Sequence, residues 1–533
     1  MGNVDILVDR VPETPVELGF DPAQLPTWRP YQRQTVQKIH DAAADAVLIV
    51  NAPTGSGKSA LALASARMRY GSTTVLTHQK ALQLQYMEHR LKEPLRLATG
   101  RDNHPCVLED QPVGLTAAHA PCVTEDFACA YMRATNPMDI VCPYFKQKGL
   151  AEIAPIRILN YPYYFLQAKQ GKFRSGLLVC DEGHRLDKAL LQAESVRFSQ
   201  LQLDNLRDAD LSLPKTLKDG AFLTDVPAMV AWVFKAKGHA MTQRASIYNS
   251  TAVREKWRIL WLALDQLESL IHLHATVMWR EQTRTWVPIL SSEIASNILT
   301  PPEDAPIQKL VVMSATVFDP AYIAARLGRP RHQATYIEVP SNFPVDRRLI
   351  YVRPVERMNV TTSRDPLTLR TMADTIDNIV EQFDGRKGMI HCGSFALGKE
   401  LAVRSRYRER MILAVPGDPR VDEFRSSQEG IYVSPSAYEG YDFKDGLCRF
   451  NIVAKISWPN RGDPVVAAQL NRIPGFNEYE AASALIQAAG RGMRHAGDWC
   501  TTFVLDGTVF QLFAALRRQG VELPKWFMEA VRY

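Results

Sequence analysis

The chain has no run of about 18 apolar residues, so no membrane-spanning helix is expected. It has no internal repeat of solenoid period and no low-complexity tail, which argues against repeat arrays. Its first residues, Met1-Gly-Asn-Val-Asp-Ile-Leu7, carry neither a basic start nor an apolar stretch, so no secretory signal is expected. Ile6 stands where myristoylation after Gly2 needs Ser or Thr. Cysteine is scarce, eight in 533 residues, which points away from a disulfide scaffold and towards a reducing, cytoplasmic compartment. Neither charge dominates: 63 Lys and Arg face 57 Asp and Glu. The net +6 is compatible with a polyanionic partner without requiring one.

What is present suits a large globular protein. Hydrophobic residues make up 46% and charged residues 23%, enough for a sizeable core and two to four domains. Residues 31–90 alternate strand and helix signals. Ala46-Val-Leu-Ile-Val-Asn51 reads as a buried strand, and Thr73-Thr-Val-Leu-Thr77 as the next. Strands alternating with helices imply a parallel α/β sheet. Residues 100–150 break that rhythm with four cysteines, several prolines and weak periodicity. Residues 190–300 read as mainly helical, with Leu260, Leu264, Leu267 and Ile271 as a core stripe. A second α/β unit follows from about 345.

The segment Ala52-Pro-Thr-Gly-Ser-Gly-Lys-Ser59 leaves a strand and opens a helix, the context of a phosphate-binding loop. Gly55 and Gly57 let backbone N–H groups close around phosphate oxygens. Lys58 is expected to reach the β- and γ-phosphates of ATP, and Ser59 to ligate Mg²⁺. Asp181-Glu-Gly-His184 ends an apolar strand. Asp181 is placed to hold the metal, Glu182 to orient or deprotonate water, and His184 to couple the site to its surroundings. In Gln487-Ala-Ala-Gly-Arg-Gly-Met-Arg494, Arg491 and Arg494 are three apart and share a helical face, suited to stabilising transition-state charge. Cys106, Cys122, Cys129 and Cys142 fall between the first two motifs. Spacing alone favours a four-cysteine zinc site; a 4Fe–4S cluster is the other reading. Cys180, Cys392, Cys448 and Cys500 lie in or beside apolar strands and read as buried thiols. The alternating Arg404, Arg406, Arg408 and Arg410 read as a solvated surface.

Together these motifs resemble a superfamily 2 DNA helicase of the iron–sulfur group that includes XPD and DinG. Arg29-Pro-Tyr-Gln32 resembles the adenine-recognition motif, with Gln32 as its contact. Thr77-His-Gln-Lys-Ala-Leu-Gln-Leu-Gln85 resembles the first DNA-contact motif. Gly100-Arg-Asp-Asn-His-Pro-Cys106 and Cys142-Pro-Tyr-Phe145 resemble the two ends of the cluster domain, and Asn160-Tyr-Pro-Tyr-Tyr-Phe165 the segment after it. Asp181-Glu-Gly-His184 is a variant of the Asp-Glu-Ala-His box. Ser314-Ala-Thr316 resembles the coupling motif, Ser434 and Glu439-Gly-Tyr-Asp-Phe443 the fifth motif, and 487–494 the sixth.

The resemblance implies two RecA-like parallel-sheet motor domains with an inserted iron–sulfur domain and a helical arch-like insert. The expected division is 1–99, 151–189 and 305–335 for the first motor domain, 100–150 for the cluster domain, 190–304 for the insert and 336–533 for the second motor domain. It implies ATP, Mg²⁺ and a 4Fe–4S cluster on Cys106, Cys122, Cys129 and Cys142. Lys58, Glu182, Gln487, Arg491 and Arg494 are the expected catalytic residues, with Asp442 on the nucleotide and Ser314 and Thr316 coupling hydrolysis to movement. Thr77, Arg101, Tyr144, Ser394 and Ser434 are expected on single-stranded or forked DNA, tracked 5′-to-3′, with loading or repair-complex proteins as further partners. Basic residues around the cluster segment, with Tyr144 and Phe145 among them, suit strand tracking. A remodelling ATPase that does not unwind, a redox-sensing DNA-binding protein and an RNA helicase are the alternatives. The cysteine gaps lack a close Cys-x-x-Cys pair, and the insert is short for an arch.

Overall fold

The computed structural model describes residues 10–43, 46–68, 70–109, 114–124, 129–213, 218–246, 250–299, 309–435, 443, 445–493 and 497–533. In chain order, β1 (Val47–Asn51), β2 (Thr73–Thr77), β3 (Arg96–Leu97), β4 (Ile156–Asn160) and β5 (Leu177–Asp181) begin a first sheet. β6 (Val196–Arg197), β7 (Val277–Arg280) and β8 (Thr285–Pro288) form a small antiparallel sheet. β9 (Lys309–Ser314) and β10 (Ala334–Glu338) complete the first sheet. The second sheet holds β11 (Ile350–Glu356), β12 (Gly388–His391), β13 (Met411–Leu413), β14 (Ile431–Ser434), β15 (Phe450–Val453), β16 (Thr501–Asp506) and β17 (Val531–Arg532).

Both seven-stranded sheets are parallel, in the orders β10-β1-β9-β5-β2-β4-β3 and β13-β14-β12-β15-β16-β11-β17. β1, β2 and β5 are buried along their whole length, which explains their continuously apolar sequences: helices cover both faces. The architecture is two RecA-like α/β domains, as expected. The boundary expected at 335/336 needs correction, because it cuts through β10. That strand pairs with β1 from Ala334 to Glu338 and so belongs to the first domain.

The insert is rooted beside the acidic box through helix Leu186–Glu194. Helices Val226–Ala245 and Thr251–His272 pack together, each started by a side chain that accepts a backbone N–H, Asp225 from Ala228 and Ser250 from Val253. Leu260, Leu264, Leu267 and Ile271 are buried, as their spacing predicts. The insert does not stand free of the second domain. Arg280 pairs with Asp463 at 3.0 Å, Arg472 lies 4.2 Å over the Phe222 ring, and Met278 and Ile289 bury Ala468. Among the described residues no helix is long and apolar enough to cross a membrane.

The domains also meet along helix Phe476–Ala489. Tyr479 stacks on Tyr322 at 4.0 Å and on Phe318 at 4.7 Å, and its hydroxyl donates to the Thr316 carbonyl at 2.8 Å. Lys188 and Glu480 form an ion pair across the same boundary at 2.5 Å.

Candidate nucleotide site and nucleic-acid face

β1 delivers the chain to the loop at 52–59, and helix Lys58–Ala66 leaves it with free N–H groups at its positive end. Gly55 and Gly57 have φ of 79° and 80°, a left-handed conformation that costs L side chains energy. Space excludes a side chain as well. A Cβ on Gly57 would lie 2.4 Å from Gln32 Nε2, and one on Gly55 2.0 Å from the Phe343 ring. Gln32 is fully buried: its Oε1 accepts from Arg29 N (3.0 Å) and its Nε2 donates to Ser56 O (3.1 Å). The amide expected on the nucleotide is thus engaged with backbone behind the loop. Arg29, not Gln32, lines the cavity in front of it.

That cavity measures about 540 Å³, a size suited to a small-molecule ligand. Lys58, Ser59, Asp181, Glu182 and Ser314 line it from the first domain, and Gln487, Gly490 and Arg491 from the second. Asp181 ends β5 fully inside the protein. Burial and the neighbouring Glu182 charge push its carboxyl up to about 6, against the pull of Lys58. Tyr86 donates its hydroxyl to Asp181 Oδ2 (2.9 Å), the Glu182 N–H donates to Oδ1 (2.9 Å), and Tyr161 donates to the Asp181 carbonyl (2.8 Å). Glu182 has φ of 51°, a strained turn immediately after the strand. Gly183 stands where the resemblance expects alanine, and packing accounts for it: a Cβ there would lie 2.4 Å from Val312 Cγ1 on β9.

His184 joins the two domains. Gln487 Nε2 donates to His184 Nε2 at 2.7 Å, which leaves the ring proton on Nδ1, directed to Ser314 Oγ at 2.8 Å. Glu182 Oε2 stands 3.4 Å from that same Nδ1. Gln487 also reaches Thr316 Oγ1 at 3.4 Å. Five of the sequence-predicted residues therefore form one connected chain across the cleft.

Beneath Arg491, Asn451 Nδ2 donates to the Ala488 carbonyl and Asn451 Oδ1 accepts from His391 Nε2 at 2.7 Å. Burial holds His391 down to about 4, with Asn451 opposing and Arg491 adding to the shift. Gly492 lies against Cys500, where a Cβ would come within 2.3 Å of the thiol. Arg494 and Asp442 lie outside the described residues.

The segment 77–85 also borders this cavity, through His78, Gln79, Ala81, Leu82 and Gln85, while sheet order sets the strand ends of β2 and β4 to one side. β1, β9 and β5 carry the cavity; β2 and β4 follow on one side and end in Thr77 and Asn160. In the second sheet β14 pairs with β12 through Ser434 and His391, which brings Ser434 close to Ser394, the cap of helix Phe395–Arg404. Thr77 and Ser434 are themselves buried. Tyr144 needs correction as a stacking residue: it is 4% exposed, packed edge-on against His104 and Phe145 and covered by the Arg101 guanidinium at 4.6 Å. Arg101 is committed to the same cluster, with Nη1 also 3.4 Å from the Ala117 carbonyl and 3.8 Å from Cys122 Sγ. Arg404, Arg406, Arg408 and Arg410 each pair with a nearby carboxylate, as a solvated surface would.

Cys106, Cys122, Cys129 and Cys142 are all half-buried, whereas Cys180, Cys392, Cys448 and Cys500 are buried. Burial raises the Cys122 thiol; Arg101 opposes this, and Cys129 and Cys142 add to it, so each of those two lies within electrostatic reach of Cys122. Among the described residues no three His, Cys, Asp or Glu side chains form a group able to hold a metal ion. The expected four-thiolate cage is therefore not assembled in this conformation.

Sequence reasoning missed Tyr86, Tyr161, Asn51 and Phe343. Tyr161 stood inside a quoted motif without a role. Tyr86 follows the first DNA-contact motif by one residue, and no spacing rule marks a lone tyrosine as the partner of a distant aspartate.

Residues 408–530 match the helicase C-terminal domain family. Three solved structures share the fold over nearly the whole chain. One titled XPD_Helicase is 16% identical, with a TM-score of 0.61, covering 93% of this chain and 98% of its own. One titled XPD_APO is 13% identical, with a TM-score of 0.55, covering 92% and 98%. Xpd4 from S. tokodaii is 12% identical, with a TM-score of 0.55, covering 95% and 99%. No curated protein sequence matches the chain significantly.

Proposed function

We propose that this chain, with an XPD-like fold and a helicase C-terminal domain, is an ATP-dependent DNA helicase that moves along single-stranded DNA from 5′ to 3′ and opens forked duplexes. The observation that carries the reading is the His184 bridge. It connects the Glu182 side of a cavity in one domain to Gln487 of the other, four residues before Arg491.

The residues present fit ATP with Mg²⁺. Loop amides and Lys58 receive the phosphates. Ser59 and Asp181 would hold the cation, and a buried carboxyl pushed up to about 6 gains from positive charge beside it. Bound there, Mg²⁺ supplies neutralisation of phosphate charge. Glu182 orients a water for in-line attack on the γ-phosphorus and takes its proton. Arg491, with Arg494, stabilises charge on the transferring phosphoryl group. ADP and phosphate then leave, and the Gln487–His184–Ser314 chain is the route by which loss of the γ-phosphate loosens the second domain. Ser394, half-buried at the start of its helix, grips the DNA backbone as the cleft opens and closes, whereas Thr77 and Ser434, expected in the same role, are buried and support the strand ends.

Cys106, Cys122, Cys129 and Cys142 would ligate a 4Fe–4S cluster in a reducing, cytoplasmic setting. The support is the electrostatic reach of Cys129 and Cys142 to Cys122 and the scarcity of core among the described residues of their segment. No catalytic step passes through it.

The test is ATP turnover with and without single strands, paired with unwinding of 5′-tailed and 3′-tailed DNA and RNA duplexes. Stimulation with unwinding only of the 5′-tailed DNA is expected. Stimulation without unwinding would mark a remodelling ATPase, and preference for RNA would reassign the substrate. Iron, sulfide and zinc counts with a visible absorption spectrum decide the metal; one zinc and no iron would overturn the cluster.

A further inference from the structure

The two motor domains are joined by residues 339–349, and beside that linker lies the C-terminal segment. β17 pairs with β11 in the second sheet, and Ile350 N donates to the Ala530 carbonyl at 2.9 Å. The segment then reaches across the boundary. Lys525 N donates to Glu338 Oε1 of β10 at 2.6 Å, and the Trp526 indole N–H donates to Asn51 Oδ1 at 2.9 Å. Arg348, at the end of the linker, binds both the Trp526 carbonyl and the Glu529 carboxylate. Its Nε also donates to the Phe343 carbonyl at 3.2 Å, and Phe343 is the ring that covers Gly55.

Asn51 is a junction. It is the last residue of β1 and is 0% exposed. Its Nδ2 donates to the Ala315 carbonyl at 3.1 Å, inside Ser314-Ala-Thr316. Its backbone carbonyl accepts from Val339 N, the first linker residue, at 2.8 Å, and the next amide, Ala52 N, donates to the Ser314 carbonyl at 2.9 Å. One side chain therefore holds the root of the phosphate-binding loop, the coupling motif and the tail of the other domain. Trp526 is 8% exposed, so water does not compete freely for the bond.

We propose that Asn51 and Trp526 form the pivot pair of this motor: the C-terminal segment is a second, non-covalent linker, and Trp526 is a positioning residue that passes rotation of the second domain to the phosphate-binding loop and to Ser314-Ala-Thr316. This rests on the ATP-driven closure proposed above. In a hinged pair, contacts beside the covalent linker move least, so this bond persists through the cycle while groups at the cleft mouth separate. A buried indole at a boundary also serves as packing, and the experiment separates the two roles.

Trp526→Phe keeps an aromatic ring and removes the donor. Asn51→Asp keeps the acceptor and removes the donation to Ala315. Wild type, W526F, N51A, N51D and W526F/N51A are compared for turnover with and without single-stranded DNA, for affinity towards a fluorescent ATP analogue, and for urea unfolding. W526F is expected to lose about five- to tenfold of the DNA stimulation, a typical coupling between sites, with analogue affinity changed less than about twofold. N51A and the double variant are expected to match, because both have lost the same bond. N51D, which keeps the indole bond, is expected to retain more stimulation than N51A. Wild-type stimulation in W526F, or losses that multiply in the double variant, overturns the pivot. If the wild type hydrolyses no ATP, the functional reading fails instead, and unfolding still tests the pair: strictly additive destabilisation by W526F and N51A dismisses it.

Discussion

Around the cleft, polar side chains are fixed by partners from other elements: Tyr86 on Asp181, Gln487 on His184, Trp526 on Asn51. Between residues 100 and 142 the chain is held differently. Among its described residues the helices run three or four residues, the buried apolar side chains are Ala117 and Ala120, and the four thiols remain half-exposed. The first region owes its order to two large sheets and many distant contacts. The second has too little apolar surface to offset its ordering entropy. A site built by packing loses function through single chemical groups. A site that needs a staple loses its shape when one bond to the staple is lost.

That difference can be broken by substitution. The largest effects belong to the cleft. Lys58→Ala is expected to bring ATP turnover to background while DNA binding, measured by anisotropy, largely survives. Arg491→Ala should lower kcat by roughly 10³–10⁵, with much less change in nucleotide affinity; a large Kd change at constant kcat would contradict its role. Cys122→Ser and Cys129→Ser should remove bound metal and unwinding yet leave ATP turnover, because the cavity is lined from other segments. Loss of turnover in those variants would mean that the two regions are one.

Smaller effects sharpen the contrast. His391 is held down to about 4, below the usual histidine range, so the unfolded chain binds its proton first. The stability this residue contributes is complete above about pH 6.5 and is lost as pH falls towards 4, roughly 3 kcal/mol in all. His391→Gln should flatten that limb in urea unfolding across pH. Tyr86→Phe leaves Asp181 one donor short and should cost about 1–2 kcal/mol by the same measurement. Arg408→Ala, on an exposed pair with Glu409, should change stability by less than about 0.5 kcal/mol.

Much of the cleft was legible because its residues sit at fixed places in strand–loop–helix patterns, where local sequence dictates local geometry. Lys58, Asp181, Glu182, His184, Ser314, Gln487 and Arg491 do meet around one cavity or its bridge. What stayed hidden depends on contacts between remote segments. Gln32 reads as a ligand contact until Ser56 and Arg29 are seen to occupy its amide. Tyr144 reads as a stacking platform until Arg101 and His104 cover it. The need for Gly183 comes from β9, some 130 residues away, and no pattern around the acidic box carries it. The domain boundary slipped because β10 returns to the sheet after a gap that resembles a linker.

The insert rests on helix Pro464–Arg472 and its cap through the Arg280–Asp463 ion pair, the Arg472–Phe222 cation–π contact, a hydrogen bond from Gln469 to the Ile289 carbonyl and a small apolar patch. The insert therefore spans the cleft from outside, anchored in one domain and seated on the other. Any rotation between the domains must slide this seat or lift it. The contact is small enough to yield and specific enough to have one preferred register. Under the ATP-driven closure proposed above, this seat would act as a detent, favouring one opening angle at rest and releasing when the cleft is driven. Changing Asp463 would thus alter the resting angle of the motor without touching the residues that line its cavity.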